Sequence, residues 1–110
     1  MKIFIATDHA GFELKERVKQ WLEEEGYFIK DFGAYKYDKL DDYPDFIMPA
    51  CRSLAKETDD VRGIIFGGSG QGEAMAANRI KGIRAIVYYG YDIKIIKLSR
   101  QHNNANVLSI

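Results

Sequence analysis

The 110-residue chain has a single cysteine, Cys51. An intramolecular disulfide and a cysteine-clustered zinc site are therefore excluded. No apolar run approaches the ~18 residues of a membrane-spanning helix. Net charge is missing too, because 16 Lys+Arg balance 16 Asp+Glu. With no net field to hold a polyanion, nucleic acid and membrane surfaces are poor default partners. Met1 to Ala6 run straight into a strand-like segment without the layout of a secretory signal, so a cytoplasmic location is expected. There is no internal repeat, linker or low-complexity tract. The length leaves room for one core, and residues 1–110 are expected to form one domain. A chain of this size buries roughly two-thirds of its unfolded surface and needs no staple. What is present is 46% apolar and 29% charged residues, the composition of an ordinary globular domain.

Short apolar runs alternate with helical patterns. Lys2 to Thr7 reads as a buried strand, and Asp8 to Gly11 breaks it. Leu14, Val18, Trp21 and Leu22 then fall at helical spacing, with Gly26 suited to end the helix. Tyr27 to Phe32 is a second strand, followed by a Tyr/Lys/Asp-rich loop from Gly33 to Tyr43. Pro44 suits the first turn of a helix carrying the stripe Ile47, Ala50, Cys51, Leu54 and Ala55. Val61 to Phe66 is a third strand, and a short helix is expected from about Glu73 to Arg79. Ile83 to Tyr88 reads as a strand, Tyr91 to Gln101 as a helix and Ala105 to Ile110 as a fifth strand. Near-continuous apolar strands alternating with helices predict a parallel sheet covered on both faces. The expected fold is a three-layer α/β/α sandwich with a five-stranded parallel sheet, Rossmann-like or flavodoxin-like. Ligands in such sheets bind beyond the carboxyl ends of the strands.

Two loops with chemistry leave those ends. One is Asp8 to Gly11. The other is Gly67-Gly68-Ser69-Gly70-Gln71-Gly72, with four glycines in six residues. Such a loop at a helix start directs backbone N–H groups toward an anion or a developing oxyanion. It also serves as a tight turn whose glycines supply unusual dihedrals. Three familiar motifs fail by one residue each. A P-loop needs Lys-Ser or Lys-Thr where Glu73-Ala74 stands, a nucleophile elbow on Ser69 needs Gly at Gln71, and a dinucleotide fingerprint from Gly68 needs Gly at Glu73. A carboxylate at the helix start is at home on the dipole, and equally is a general base beside an oxyanion hole. The second role suits proton abstraction alpha to a carbonyl. The helix N-terminus works against it by lowering the carboxyl pKa, so burial has to oppose the dipole.

His9 and His102 are the only histidines. His9 leaves the carboxyl end of the first strand, near the glycine loop. His102 precedes the fifth strand, which in a parallel sheet places it at the amino edge, away from Glu73. If both serve one reaction, a second subunit must supply His102, and a homodimer with shared sites is expected. The amide-rich stretch Ser99 to Asn106 supports an interface or site role.

The chain resembles the ribose/galactose isomerase family, which holds ribose-5-phosphate isomerase B and the subunits of galactose-6-phosphate isomerase. The resemblance is carried by Asp8-His9-Ala10-Gly11-Phe12, Asp42-Tyr43-Pro44, Gly67 to Glu73 with Ala76-Ala77-Asn78-Arg79, Gly82-Ile83-Arg84-Ala85, and Ser99 to Asn103 with Asn106-Val107-Leu108. It implies aldose–ketose isomerisation through a cis-enediolate, with no cofactor and no metal. One branch of the family uses a cysteine base just after the third strand, where this chain has Gly67. The other uses a glutamate at the helix start, which Glu73 matches. By the same resemblance Ser69 and the amides of Gly70 to Gly72 form the oxyanion site, with Gly68 and Gln71 in the same binding loop. Asp8 and Tyr43 would contact the sugar, and His9 its phosphate. His102 would be the ring-opening acid/base, given with Asn103 by the neighbouring subunit. The implied partners are a phosphorylated sugar and a second copy of the chain.

Family members normally continue past the fifth strand with arginines that clamp the substrate phosphate, and the sequence given stops at Ile110. Arg79, Arg84 and Arg100 do not match those positions. The expectation on this ground is a sugar-phosphate isomerase domain that lacks the C-terminal extension and binds phosphosugar weakly. The leading expectation is interconversion of ribose 5-phosphate and ribulose 5-phosphate. The alternatives are a galactose- or allose-6-phosphate type of hexose-6-phosphate isomerase, a phosphosugar-binding module with little activity, and a flavodoxin-like nucleotide binder that no motif supports.

Overall fold

A computed structural model describes residues 1–110. The sheet comprises β1 (Lys2–Thr7), β2 (Phe28–Asp31), β3 (Val61–Phe66), β4 (Ala85–Val87) and β5 (Val107–Ser109). All neighbours are parallel, in the order β2-β1-β3-β5-β4. The helices are α1 (Phe12–Glu24), α2 (Pro44–Ala55), α3 (Gln71–Asn78) and α4 (Lys94–Asn103), and one 3-10 turn spans His9–Gly11. No helix is long and apolar enough to cross a membrane. β5, last in sequence, lies between β3 and β4, which brings the end of the chain beside the glycine loop.

Alternation along the strands builds the two faces. Phe4 and Ala6 of β1 and Val61 and Ile65 of β3 pack with Ile47, Ala50, Cys51 and Leu54 of α2 and Ala77 of α3. Ile3, Ile5 and Phe66 pack on the other face with Leu22 of α1. The expected α2 stripe is therefore the buried one. The expected α1 face is buried only in part: Val18 and Leu22 pack on the core, but Leu14 and Trp21 are 44% and 56% exposed, and the side chain fully buried near them is Lys15. Its ammonium bonds both oxygens of Asp31, at 2.9 and 2.8 Å, and the Ala34 carbonyl at 2.7 Å. Burial alone would raise the Asp31 carboxyl, but hydrogen bonds from Lys15, the Gly33 N–H and Lys19 hold it below its ordinary range. A charge sinks into the core here because its partner does too.

The element ends also differ from expectation. β2, β4 and β5 are shorter than their apolar runs. α3 begins at Gln71 rather than Glu73, so Glu73 lies within its first turn. α4 runs on to Asn103, which puts His102 and Asn103 in its last turn rather than in the connection. Asn104, left-handed at φ 50°, ends that helix.

Candidate active site

Thr7 and Phe66 end β1 and β3 and are paired across the sheet. The turn after β1 and the glycine loop after β3 thus emerge side by side. Thr7 Oγ1 donates to the Phe66 carbonyl at 3.1 Å and fixes their spacing. β5 holds the loop from its other side. The buried Ser109 hydroxyl donates to the Gly70 carbonyl at 2.7 Å, and the Gly67 N–H donates to the Ile110 carbonyl at 3.0 Å. Gly70 takes φ 75°, a left-handed conformation cheap only for glycine, and turns the chain into α3. The N–H groups of Gly68, Ser69, Gly70 and Gly72 bond no protein acceptor. Ser69 Oγ accepts the Gln71 N–H at 3.2 Å, leaving its own proton free to donate. This is a nest of donors for a negatively charged oxygen.

Glu73 sits inside that nest and is only 4% exposed. A Cβ on Gly67 would lie 2.0 Å from Glu73 Oε1, so the carboxylate occupies the volume that a side chain at 67 would fill. A carboxylate at 73 in this position and a side chain at 67 compete for the same volume, which gives glycine at 67 a reason beside Glu73. Burial pushes the Glu73 carboxyl above its usual 4.5, the charge of Asp8 adds to the rise, and a bond from Glu73's own N–H opposes it. The helix N-terminus does not win. Desolvation outweighs it before any substrate arrives, and the carboxylate is a stronger base for that reason.

Asp8 is buried, and its Oδ1 accepts the Ala10 N–H at 3.0 Å, capping the turn after β1. His9 is partly exposed, and its Nδ1 lies 2.8 Å from Asp41 Oδ1. That hydrogen bond, against some desolvation and with the charge of Asp8, holds the imidazole above its usual 6.5. Asp41 carried no signal in the sequence: it lies in an acidic loop 32 positions from His9. Tyr43 starts α2, and its ring and hydroxyl lie 3.0 Å from where a Cβ on Gly72 would be. Tyr43 therefore walls the loop from the α2 side. Asp8, His9, Tyr43, Gly68 to Gly72 and Glu73 come together as expected.

Gln71 departs from expectation, whereas His102 and Asn103 lie away from the cluster, as strand polarity predicts. The Gln71 amide is spent outside the cluster, on the Tyr89 hydroxyl at 2.7 Å. His102 and Asn103 are exposed on α4, at the opposite end of the strands. The connection after them is wired to the amino edge: the Arg84 N–H donates to Asn106 Oδ1 at 2.8 Å, and Arg84 Nε donates to the Asn104 carbonyl at 2.6 Å. Asn104 and Asn106 thus have structural jobs, while His102 and Asn103 form no side-chain hydrogen bond.

Among groups that could hold a metal, ligand atoms of Asp8, His9 and Asp41 lie within 4.8 Å of one another. Two of these residues are bonded together, so a cation at Asp41 Oδ1 and His9 Nδ1 would have to break that bond. Cys51 is buried in the core, where desolvation pushes its thiol up to about 11, and it takes no part. The largest cleft, of about 760 Å³, shares only Tyr43 and Gly72 with the cluster. Its other walls include Pro44, Met48, Met75 and Ala76, a poor match for a polyhydroxylated ligand. The polar cluster between the two loops is the better site for one.

Known proteins share this sequence pattern and fold. The chain is 40% identical over all 110 residues to ribose-5-phosphate isomerase B of Mycolicibacterium paratuberculosis, and covers 67% of it. It superposes on the Clostridium thermocellum ribose-5-phosphate isomerase B with a TM-score of 0.91 and 38% identity, covering 100% of this chain and 72% of that one. It matches the Mycoplasma genitalium ribose-5-phosphate isomerase B, solved with bound ribulose-5-phosphate, with a TM-score of 0.90 and 40% identity over 98% of this chain and 70% of that one. The chain spans about two thirds of the length of the curated relatives it matches. The family profile described as Ribose/Galactose Isomerase matches residues 3–110, and the chain belongs to that family.

Proposed function

We propose that this chain carries the catalytic centre of an aldose–ketose isomerase that interconverts ribose 5-phosphate and ribulose 5-phosphate, with Glu73 as the base. The observation that carries the reading is the buried Glu73 carboxylate, raised above its usual range, beside a loop of unpaired N–H groups. With the open-chain aldose bound, Glu73 takes the proton from C2. The C2–H electron pair becomes the C1=C2 bond of a cis-enediolate, and negative charge develops on the carbonyl oxygen. Ser69 and the N–H groups of Gly70 and Gly72 are placed to receive that charge. Glu73 then returns the proton to C1 while the hydroxyl proton passes from O2 to O1, which balances the isomerisation. No step draws on a cofactor. Asp8 and Tyr43 flank the carbon chain, and His9 faces the phosphate.

Opening the furanose ring calls for an acid/base in addition to Glu73 and the phosphate-facing His9. A second copy would provide His102 and Asn103 in a homodimer. Support comes from α4, where Ile95, Leu98 and His102 follow an i, i+3, i+7 stripe and all three are exposed. An apolar stripe that ends in the histidine is what an interface carrying that histidine into a neighbour's site would look like. The relatives named as ribose-5-phosphate isomerases favour the pentose substrate. The test is a coupled assay of ribose 5-phosphate against hexose 6-phosphates, run in deuterated water. Formation of ribulose 5-phosphate with solvent deuterium entering C1 is expected. Failure to turn over ribose 5-phosphate, or turnover of a hexose 6-phosphate alone, would overturn the proposal.

A further inference from the structure

Asp41 is a largely buried carboxylate beside the site whose role no motif assigns. Its side chain is 10% exposed. One oxygen, Oδ1, accepts twice from His9, from the backbone N–H at 2.9 Å and on the ring side from Nδ1 at 2.8 Å. The other oxygen, Oδ2, is buried with no partner, so His9 is the only residue that compensates this charge by hydrogen bonding. The loop bearing Asp41 is itself pinned. The Thr7 N–H donates to the Gly33 carbonyl at 2.7 Å, the Ala34 N–H donates to the Thr7 carbonyl at 2.8 Å, and buried Lys15 bonds the Ala34 carbonyl at 2.7 Å. The edge of the His9 ring meets Tyr37, with centroids 6.1 Å apart. Backbone and ring of His9 are thus both fixed, from a loop remote in sequence.

The chemistry of imidazole makes this more than packing. With Nδ1 committed to Asp41, Nε2 is the only ring atom left to meet a ligand. In the neutral ring with its proton on Nδ1, Nε2 is an acceptor and repels a phosphate oxygen; only the protonated ring donates from Nε2. The groups facing His9 are the Asp8 carboxylate, the Asp41 carboxylate and the Tyr37 phenol. Both carboxylates favour the charged ring.

We propose that Asp41 is a positioning residue that locks the His9 ring through Nδ1 and presents Nε2–H as a cationic anchor for the phosphate of the sugar. The proposal rests on the phosphosugar reading of the site. It makes phosphosugar affinity, rather than the proton transfer at Glu73, the step that Asp41 controls.

The variant Asp41→Asn keeps the size and one acceptor oxygen but removes the charge. Two readouts are taken. The first is an NMR titration of the His9 ring, with and without inorganic phosphate, which needs no turnover. The His9 midpoint should stand above 6.5 in the parent and fall in Asp41→Asn, and phosphate should move the His9 signals of the parent more than those of the variant. The second is KM and kcat for ribose 5-phosphate against pH. KM of the variant should rise by about tenfold near neutral pH, the effect of losing roughly one charge-assisted hydrogen bond to the phosphate, with kcat little changed. His9→Gln should flatten the pH dependence of KM and serves as the second variant if Asp41→Asn unfolds. An unchanged His9 midpoint in Asp41→Asn, or a loss in kcat with KM intact, overturns the proposal. If ribose 5-phosphate is not turned over at all, the isomerase reading fails while the His9 titration still decides the role of Asp41.

Discussion

Glu73 and His102 lie at opposite ends of the strands, and their settings are opposite. Glu73 is 4% exposed, in a helix packed against α2 and the sheet, over a floor kept clear by Gly67. His102 stands in solvent on α4, a helix in which Ser99 alone is buried. One group is finished by the fold of its own chain: burial sets its basicity and glycine makes its room. The other has only a place on an apolar stripe. On the proposed reading a single copy builds the centre that moves a carbon-bound proton, and His102 faces outward for another copy to use.

The sharpest way to break this contrast is complementation. Glu73→Gln and His102→Ala should each lower turnover of the cyclic substrate by about 10²–10⁴-fold, the range for loss of a general acid or base. Equal mixing of the two inactive chains, with subunit exchange, should restore activity to roughly a quarter of the sites, since half of random dimers are mixed and each then holds one intact site. No recovery after exchange has been verified by mass spectrometry would place both groups in one chain's site. The next effect is smaller and confined to Glu73. Gly67→Ala puts a methyl carbon 2.0 Å from Oε1 and must displace the carboxylate. Misplacement by about an ångström lowers kcat by about 100-fold, with little change in KM. An unaffected kcat would mean that the carboxylate position is not the catalytic one.

The smallest effect is on stability and has a defined sign. The Glu73 carboxyl is raised in the folded protein, so it stabilises the fold fully below its unfolded value near 4.5, and that contribution is lost as pH rises through the folded value. Glu73→Gln should then unfold at a higher denaturant concentration than the parent at neutral pH, and the difference should vanish at acid pH. A variant less stable than the parent at neutral pH would show that Glu73 is a structural residue. His102→Ala, on an exposed helix end, should change stability by less than about 0.5 kcal/mol.

The sheet was legible because its strands are read locally. Lys2–Thr7 and Val61–Phe66 are short unbroken apolar runs, and their bounds match the structure. The α2 stripe was legible for the same reason, being periodic and apolar. α1 misled in part because one of its two buried members is a lysine. Lys15 is buried through an ion pair with Asp31, 16 positions away, and no local periodicity reports such a pairing. The glycine loop and Glu73 were legible as a motif, but the direction of the Glu73 shift was not. It turns on desolvation in the folded chain, whereas the helix dipole visible in sequence argues for the reverse. Gln71 illustrates another limit. It stands in the loop as expected, yet its amide is taken by Tyr89, 18 positions on. The separation of Glu73 from His102 is a matter of strand polarity alone. Connections that enter the strands of a parallel sheet and connections that leave them lie at opposite edges.

The most direct test of Glu73 is exchange of the C2 proton of ribose 5-phosphate with solvent, monitored by NMR in deuterated water for the parent and for Glu73→Gln under saturating substrate. The expected result is rapid exchange with the parent and none above background with Glu73→Gln, while ribose 5-phosphate still binds the variant. Exchange at the parental rate in Glu73→Gln would contradict the assignment and return the base to another residue.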